Sequence, residues 1–154
     1  MIIEGLLVDT EDEHLLSEYK WRPVRQRYTT YVQAHGPVVD GRETNLRLHR
    51  LIMSAPPGVH VDHRNHNGLD NQRSNLRLAS VSQNHGNTRI RQGGTSRFKG
   101  VYRDRGRWVA GIIEDGARRN LGRFLVEEDA ARAYDAAARR IFGEFALTNF
   151  EPPT

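Results

Sequence analysis

The chain has 154 residues, a formal net charge of +4 and a pI of about 9.8, with 21 Arg, 2 Lys and no Cys. The missing Cys excludes disulfides and Cys-ligated zinc. No apolar run is long enough for a membrane span and no signal-peptide pattern opens the chain, so a soluble, cytoplasmic protein is expected. The length suits two small domains or one medium one. The Arg preference fits planar, bidentate contacts to phosphate and guanine, and hence nucleic acid; an Arg-rich codon usage accounts for it equally well. Charge is placed unevenly, with residues 1–20 at net −5 and residues 86–123 at net +7. The second segment suits a phosphate backbone.

In chain order, Ile2 to Val8 reads as a strand. Thr10 and Glu13 have capping-box spacing before a short helix through Tyr19. Trp21 to Arg25 and Tyr28 to Ala34 read as a hairpin. Gly36-Pro37 and Asp40-Gly41 read as turns, and Asn45 to Leu48 as a further strand. His49 to Ser54 is expected to be a short helix, stopped by Pro56-Pro57-Gly58, with His49 a hydrogen-bonded structural residue. The segments before His49 make a small sheet that supports the polar stretch beyond it.

From Leu48 to Asn87 the chain is dense in His, Asn and Asp and poor in large apolar residues. Val59, Val61 and His63 alternate with His60 and Asp62, as at a strand end. Asn65-His66-Asn67-Gly68 is a turn cluster, and Leu76 and Leu78 alternate with Arg77 in a second strand. Ser80 followed by Gln83 starts a helix that carries Asn84. Asp62 and His63 then lie opposite Asn84, with Asn75 twelve positions after His63 and Asn84 nine positions after Asn75. An Asp carboxylate and an Asn carbonyl are hard oxygen ligands, suited to Mg2+ or Mn2+. A His beside them can take a proton from water near neutral pH, and a second amide can hold the loop that presents it. This chemistry is metal-assisted phosphodiester hydrolysis.

The pattern resembles the HNH (His-Asn-His) homing-type endonucleases of the ββα-metal, or His-Me finger, fold. The resemblance rests on His49-Arg50-Leu51-Ile52, Val61-Asp62-His63, Asp70-Asn71, Asn75-Leu76-Arg77 and Gln83-Asn84. It implies that His63 is the general base, that Asp62 and Asn84 hold the metal, and that Asn75 orients the loop carrying His63. Asn84 stands where other members have His, which favours an oxygen-coordinated metal over zinc; His85, one residue on, is its competitor.

Gly86 to Ser96 reads as a polar linker, with Arg89 and Arg91 placed to follow a DNA groove. From Arg97 the pattern changes to three strands, Phe98 to Arg103, Arg107 to Glu114 and Arg118 to Phe124. An Ala-rich helix comes next over Glu127 to Phe142, with Ala130, Ala133, Tyr134, Ala137 and Ile141 on one face. Residues 97–150 resemble the apetala-2 (ethylene-response-factor) type of DNA-binding domain, through Phe98-Lys99-Gly100-Val101, Trp108-Val109-Ala110, Leu121-Gly122-Arg123-Phe124, the segment Ala130 to Ala137, and Asn149-Phe150. In that family the sheet enters the major groove. The resemblance implies that Lys99, Tyr102, Arg118, Asn120 and Arg123 face DNA, with Arg103 and Arg105 nearby. Gly111 and Ile113 depart from the plant pattern, so the plant target sequence does not transfer.

The expected architecture is α+β. A nuclease domain spans 1–85, with a supporting sheet over 1–47 and a ββα-metal core over 48–85. A linker spans 86–96, and a domain of three antiparallel strands on one long helix spans 97–154. The expected function is a site-directed, homing-type DNA endonuclease of a bacterium or phage, using one divalent metal. Double-stranded DNA is its partner. The chain holds one catalytic set and no dimer element, so a monomer that nicks one strand is expected, a dimer being the alternative. The competing function is a non-catalytic DNA-binding regulator with a decayed nuclease site.

Overall fold

The computed structural model describes residues 3–90 and 93–151. It is α+β, with three small antiparallel sheets and one long C-terminal helix. The chain divides into two compact units, residues 1–80 and 81–154.

In the first unit the N-terminal segment forms no strand among its described residues. Leu7 makes a single parallel bridge to Asp70, with the Leu7 N–H donating to Leu69 O at 2.9 Å. The expected capping box at Thr10 is not used either. A 3₁₀ turn over Thr10–Asp12 runs into α1 (His14–Glu18), and neither start carries a side-chain cap. Asp9 turns its carboxylate to the 70s loop instead, accepting from Arg73 N at 2.8 Å and Gln72 Nε2 at 3.2 Å. Asp12, buried, takes Arg73 in a fork of 2.7 and 2.6 Å.

Strands β1 (Arg22–Arg25), β2 (Thr30–Val39) and β3 (Arg42–Arg47) form an antiparallel sheet in that order. β2 runs straight through Gly36-Pro37, where the sequence suggests a turn. The register slips between His35 and Val38, and this bulge accommodates a Pro that has no N–H to give the ladder. The turn falls at Asp40-Gly41, both at positive φ, as a two-residue hairpin requires. Trp21, Val32, Ala34, Leu48, Ile52 and Leu76 make the core of this unit. Leu48, fully buried, opens α2 (Leu48–Ile52); truncating such a residue to Ala costs about 2–5 kcal/mol. The Arg50 guanidinium then holds the turn after α2, donating to Val59 O, Ala55 O and Pro56 O at 2.5, 3.0 and 2.9 Å. That fixes the entry to β4 (His60–His63), which pairs with β5 (Leu76–Ala79).

The second unit opens with α3 (Val81–Gly86). Strands β6 (Val101–Asp104), β7 (Arg107–Glu114) and β8 (Ala117–Phe124) form its sheet, and α4 (Glu127–Phe142) covers one face. Ala130, Ala131, Ala137 and Ala138 are buried on α4 and let it approach closely. Phe142, rather than the expected Ile141, completes the buried stripe. Gly100 is required: its φ is +74° and a Cβ there would meet the Tyr134 ring. The segment expected as a linker is tied into this unit at both ends. The Gly86 carbonyl accepts from Leu147 N at 3.1 Å, and Ser96 Oγ donates to Glu127 Oε1 at 2.7 Å. Asp135, buried in the middle of α4, accepts from the backbone N–H groups of Asn149 and Phe150 at 2.8 and 2.9 Å and from Asn149 Nδ2 at 3.0 Å. One carboxylate thereby pins the C-terminal segment. No helix among the described residues is long and apolar enough to cross a membrane.

Candidate active site and nucleic-acid interface

Asp62 and His63 end β4, so they point to opposite faces of the two-stranded sheet. Asp62 stands directly across from Arg77, and Arg77 donates to Asp62 Oδ2 from both Nε and Nη2 at 2.8 Å. Both side chains are buried. The sequence did not single out Arg77, because Arg between two Leu in a strand reads as the solvent face. The burial is the reverse of that reading at one end, with Arg77 inside and Leu78 exposed.

His63 is 5% exposed and packs in a ring cluster. Its imidazole lies 5.0 Å from that of His49 at 79° and 5.7 Å from the Tyr31 ring; Tyr31 and His49 are 5.4 Å apart. Burial pulls the His63 pKa below the usual 6.5, against the opposing effects of the Asn71 hydrogen bond and the Asp62 and Asp70 carboxylates. A lowered pKa favours the neutral ring, the form able to accept a proton. His49 is buried, as expected of a structural residue, but its Nδ1 has no hydrogen-bond partner. Burial first, then the charges of His63, Arg47 and Arg50, push its pKa down to about 3.

Asn75 closes the loop between the strands. Its Oδ1 accepts from Asn65 N at 3.1 Å, its Nδ2 donates to Asp70 O at 2.8 Å, and its own carbonyl accepts from Arg64 N at 2.9 Å. Asn65 Nδ2 donates to Asp70 Oδ2 at 2.7 Å. The His-Asn-Asp density of this stretch is therefore a self-satisfied polar network that holds residues 64–75 in one shape.

Asn84 sits half-buried on α3 in the second unit, while His85, its competitor, is exposed. Among the described residues no group of three or more His, Asp or Glu is gathered as a metal cage would need. A carboxylate and an amide carbonyl are both hard oxygen donors, the kind that suits Mg2+ or Mn2+.

The second unit carries the basic sheet. Cross-strand register puts Tyr102, Gly111, Ile113, Arg118, Asn120 and Arg123 on the face away from α4. Arg118 crosses over Gly111, where a Cβ would stand 3.4 Å from its Nε, and stacks 4.5 Å from the Tyr102 ring centroid. Ile113 is 55% exposed on the same face. Arg123 is held by Asp104, at 2.8 Å to Oδ2 and 3.1 Å to its carbonyl, and Asn120 Oδ1 accepts from Gly122 N at 2.9 Å. Arg103 lies over Trp108 at 5.1 Å, Arg105 occupies the β6–β7 turn, and Arg89 is exposed; Arg91 lies outside the described residues. Lys99 differs from expectation. Its amine turns inward, donating to the Gly86 carbonyl at 2.5 Å and lying 5.9 Å from the Tyr134 ring, and burial lowers its pKa to about 8. It fastens α3 to its own unit rather than joining the open sheet face.

No family model matches the chain. It is similar to an uncharacterized HNH endonuclease of Acanthamoeba polyphaga mimivirus, 34% identical over 137 residues, which is 84% of this chain and 71% of that protein. Over a shorter stretch it is similar to an AP2/ERF and B3 domain-containing protein of Oryza sativa subsp. japonica, 56% identical over 57 residues. An ethylene-responsive transcription factor of Arabidopsis thaliana is 52% identical over 62 residues. These plant matches cover 36% and 38% of this chain and only 16% and 24% of the plant proteins. With the relation to the viral protein extending over most of both chains, this chain belongs to the HNH endonuclease family.

Proposed function

We propose that the protein is a metal-dependent DNA endonuclease in which His63 is the general base, Asp62 and Asn84 hold one divalent metal, and Asn75 shapes the loop that carries His63. The observation that supports this most is the setting of His63: buried against the His49 and Tyr31 rings and adjacent in sequence to a buried carboxylate, with burial lowering its pKa. Asp62 and Asn84 fit Mg2+ or Mn2+ by the hardness of their oxygens. When bound, the ion stabilises charge on the scissile phosphate and the leaving oxygen. His63 takes the proton of the attacking water, Arg77 keeps the Asp62 carboxylate oriented, and the Asn75 network stops the loop from turning the ring away.

The basic sheet is the DNA anchor in this reading. Arg118 on Tyr102, with Asn120 and Arg123, supplies phosphate and base-edge contacts, and Arg89, Arg91, Arg103 and Arg105 serve as further DNA contacts. A homing role and a domain division of 1–85, 86–96 and 97–154 belong to the same proposal. One catalytic set per chain cuts one strand per binding event, so a monomer nicks. Supercoiled plasmid incubated with Mg2+ and dilute protein is expected to give open circles before linear molecules, and chelator is expected to stop the reaction. DNA binding without any Mg2+- or Mn2+-dependent cleavage would favour a binding-only regulator instead.

A further inference from the structure

We infer that Asn71 is a positioning residue that fixes the tautomer and orientation of the His63 ring. Asn71 is fully buried and rigidly held: its backbone N–H donates to Leu7 O at 2.8 Å and its side-chain Nδ2 donates to Gly68 O at 3.2 Å. The second bond decides which way the amide lies, because a carbonyl accepts only from the NH2 end. Its Oδ1 therefore faces His63 Nε2, at 3.4 Å. An amide oxygen has no proton to give, and a neutral imidazole has one N–H. The proton sits on Nε2 and the lone pair on Nδ1. The contact is long, so it steers the ring more than it strengthens the fold. Tyr31 and His49 press on the same imidazole, at 5.7 and 5.0 Å between ring centroids, and limit its tilt.

Loop closure alone does not call for this residue. Asn75 already spends both ends of its amide, and its own carbonyl, within residues 64–75. Asn71 instead directs its acceptor at the one ring in the unit that is read as a base. The inference rests on that reading for its catalytic meaning but not for its structural content.

The test uses the full chain with 15N-labelled histidine. Two-bond 1H–15N correlation spectra, taken at a pH where His63 is neutral and assigned with His63→Gln, read the tautomer directly. The wild type is expected to show His63 protonated on Nε2; protonation on Nδ1 overturns the inference whatever the activity. Asn71→Leu is expected to give a mixture of tautomers, with kcat for plasmid cleavage lower by about tenfold or more and DNA affinity unchanged. The wild-type tautomer decides the matter by itself if Asn71→Leu fails to fold. An Asn71→Leu protein with the wild-type tautomer and wild-type kcat also overturns it. Cleavage that survives in His63→Gln removes the general-base reading and leaves the tautomer result standing, so the two failures are distinguishable.

Discussion

Both nitrogens that Arg77 extends to Asp62, Nε and Nη2, stand 2.8 Å from the same oxygen, Oδ2. The two residues are direct cross-strand neighbours, so the pair is built into the β4–β5 register. A buried ion pair adds little net stability compared with an apolar pair, but leaving one member alone is costly. The carboxylate proposed to meet a metal is thus held in place by a fixed cation.

Asp62→Asn and Arg77→Met should each lower stability by about 3 kcal/mol, because each breaks the buried Asp62–Arg77 ion pair from one side. The double variant should lose less than the two singles together. Urea unfolding of the four proteins measures this. Single variants that unfold at the wild-type midpoint would show that the pair is not structural.

Acid should destabilise the first unit through His49. Its folded pKa, about 3, lies below its ordinary 6.5. The unfolded chain therefore binds the proton first, and stability falls as pH drops from 6.5 toward 3. Over the full range the loss is on the order of 3–5 kcal/mol. His49→Leu, which cannot take a proton, should flatten the fall between pH 6.5 and 4 when thermal unfolding is followed against pH. An unchanged slope would assign the acid sensitivity to other groups.

In the second unit Asp135→Ala should cost about 2–4 kcal/mol and loosen residues 146–151. It removes a buried acceptor that holds two backbone N–H groups and the Asn149 amide. Hydrogen exchange of the Asn149 and Phe150 amides reads the effect residue by residue. Exchange as slow as in the wild type would rule out the pin.

Arg118→Ala should weaken DNA binding by about tenfold and reduce the slope of log affinity against log salt by about one. Lys99→Ala should leave that slope unchanged, because its amine is engaged with Gly86 and Tyr134. Fluorescence anisotropy on a labelled duplex over a salt series separates the two. Equal slope changes would put Lys99 back on the DNA.

How much of the structure is legible in the sequence depends on how local each signal is. The helix over Glu127 to Phe142 is readable from its alanines and first-turn acids, since both act within one or two turns. The strand ending in Asp62 and His63, and its partner, are readable from alternation over a few residues. The hidden features depend on partners far along the chain. Arg77 is inside because Asp62 lies across from it, 15 residues earlier. Lys99 looks like a DNA contact in its local sequence, yet the Gly86 carbonyl and the Tyr134 ring draw it inward. Gly36-Pro37 has turn chemistry, which a bulge absorbs. Asp135 looks like a polar residue on a helix surface until the chain end folds back onto it. Asn71 stands in the nuclease motif without an evident role, because only the fold brings its amide to His63.

The most direct test of the central claim compares wild type and His63→Ala on supercoiled plasmid with Mg2+, with duplex affinity measured in parallel. Loss of the base should lower cleavage by about a hundredfold or more, while affinity stays as it was, since one imidazole adds little to the phosphate contacts. Cleavage by His63→Ala at the wild-type rate would contradict the account.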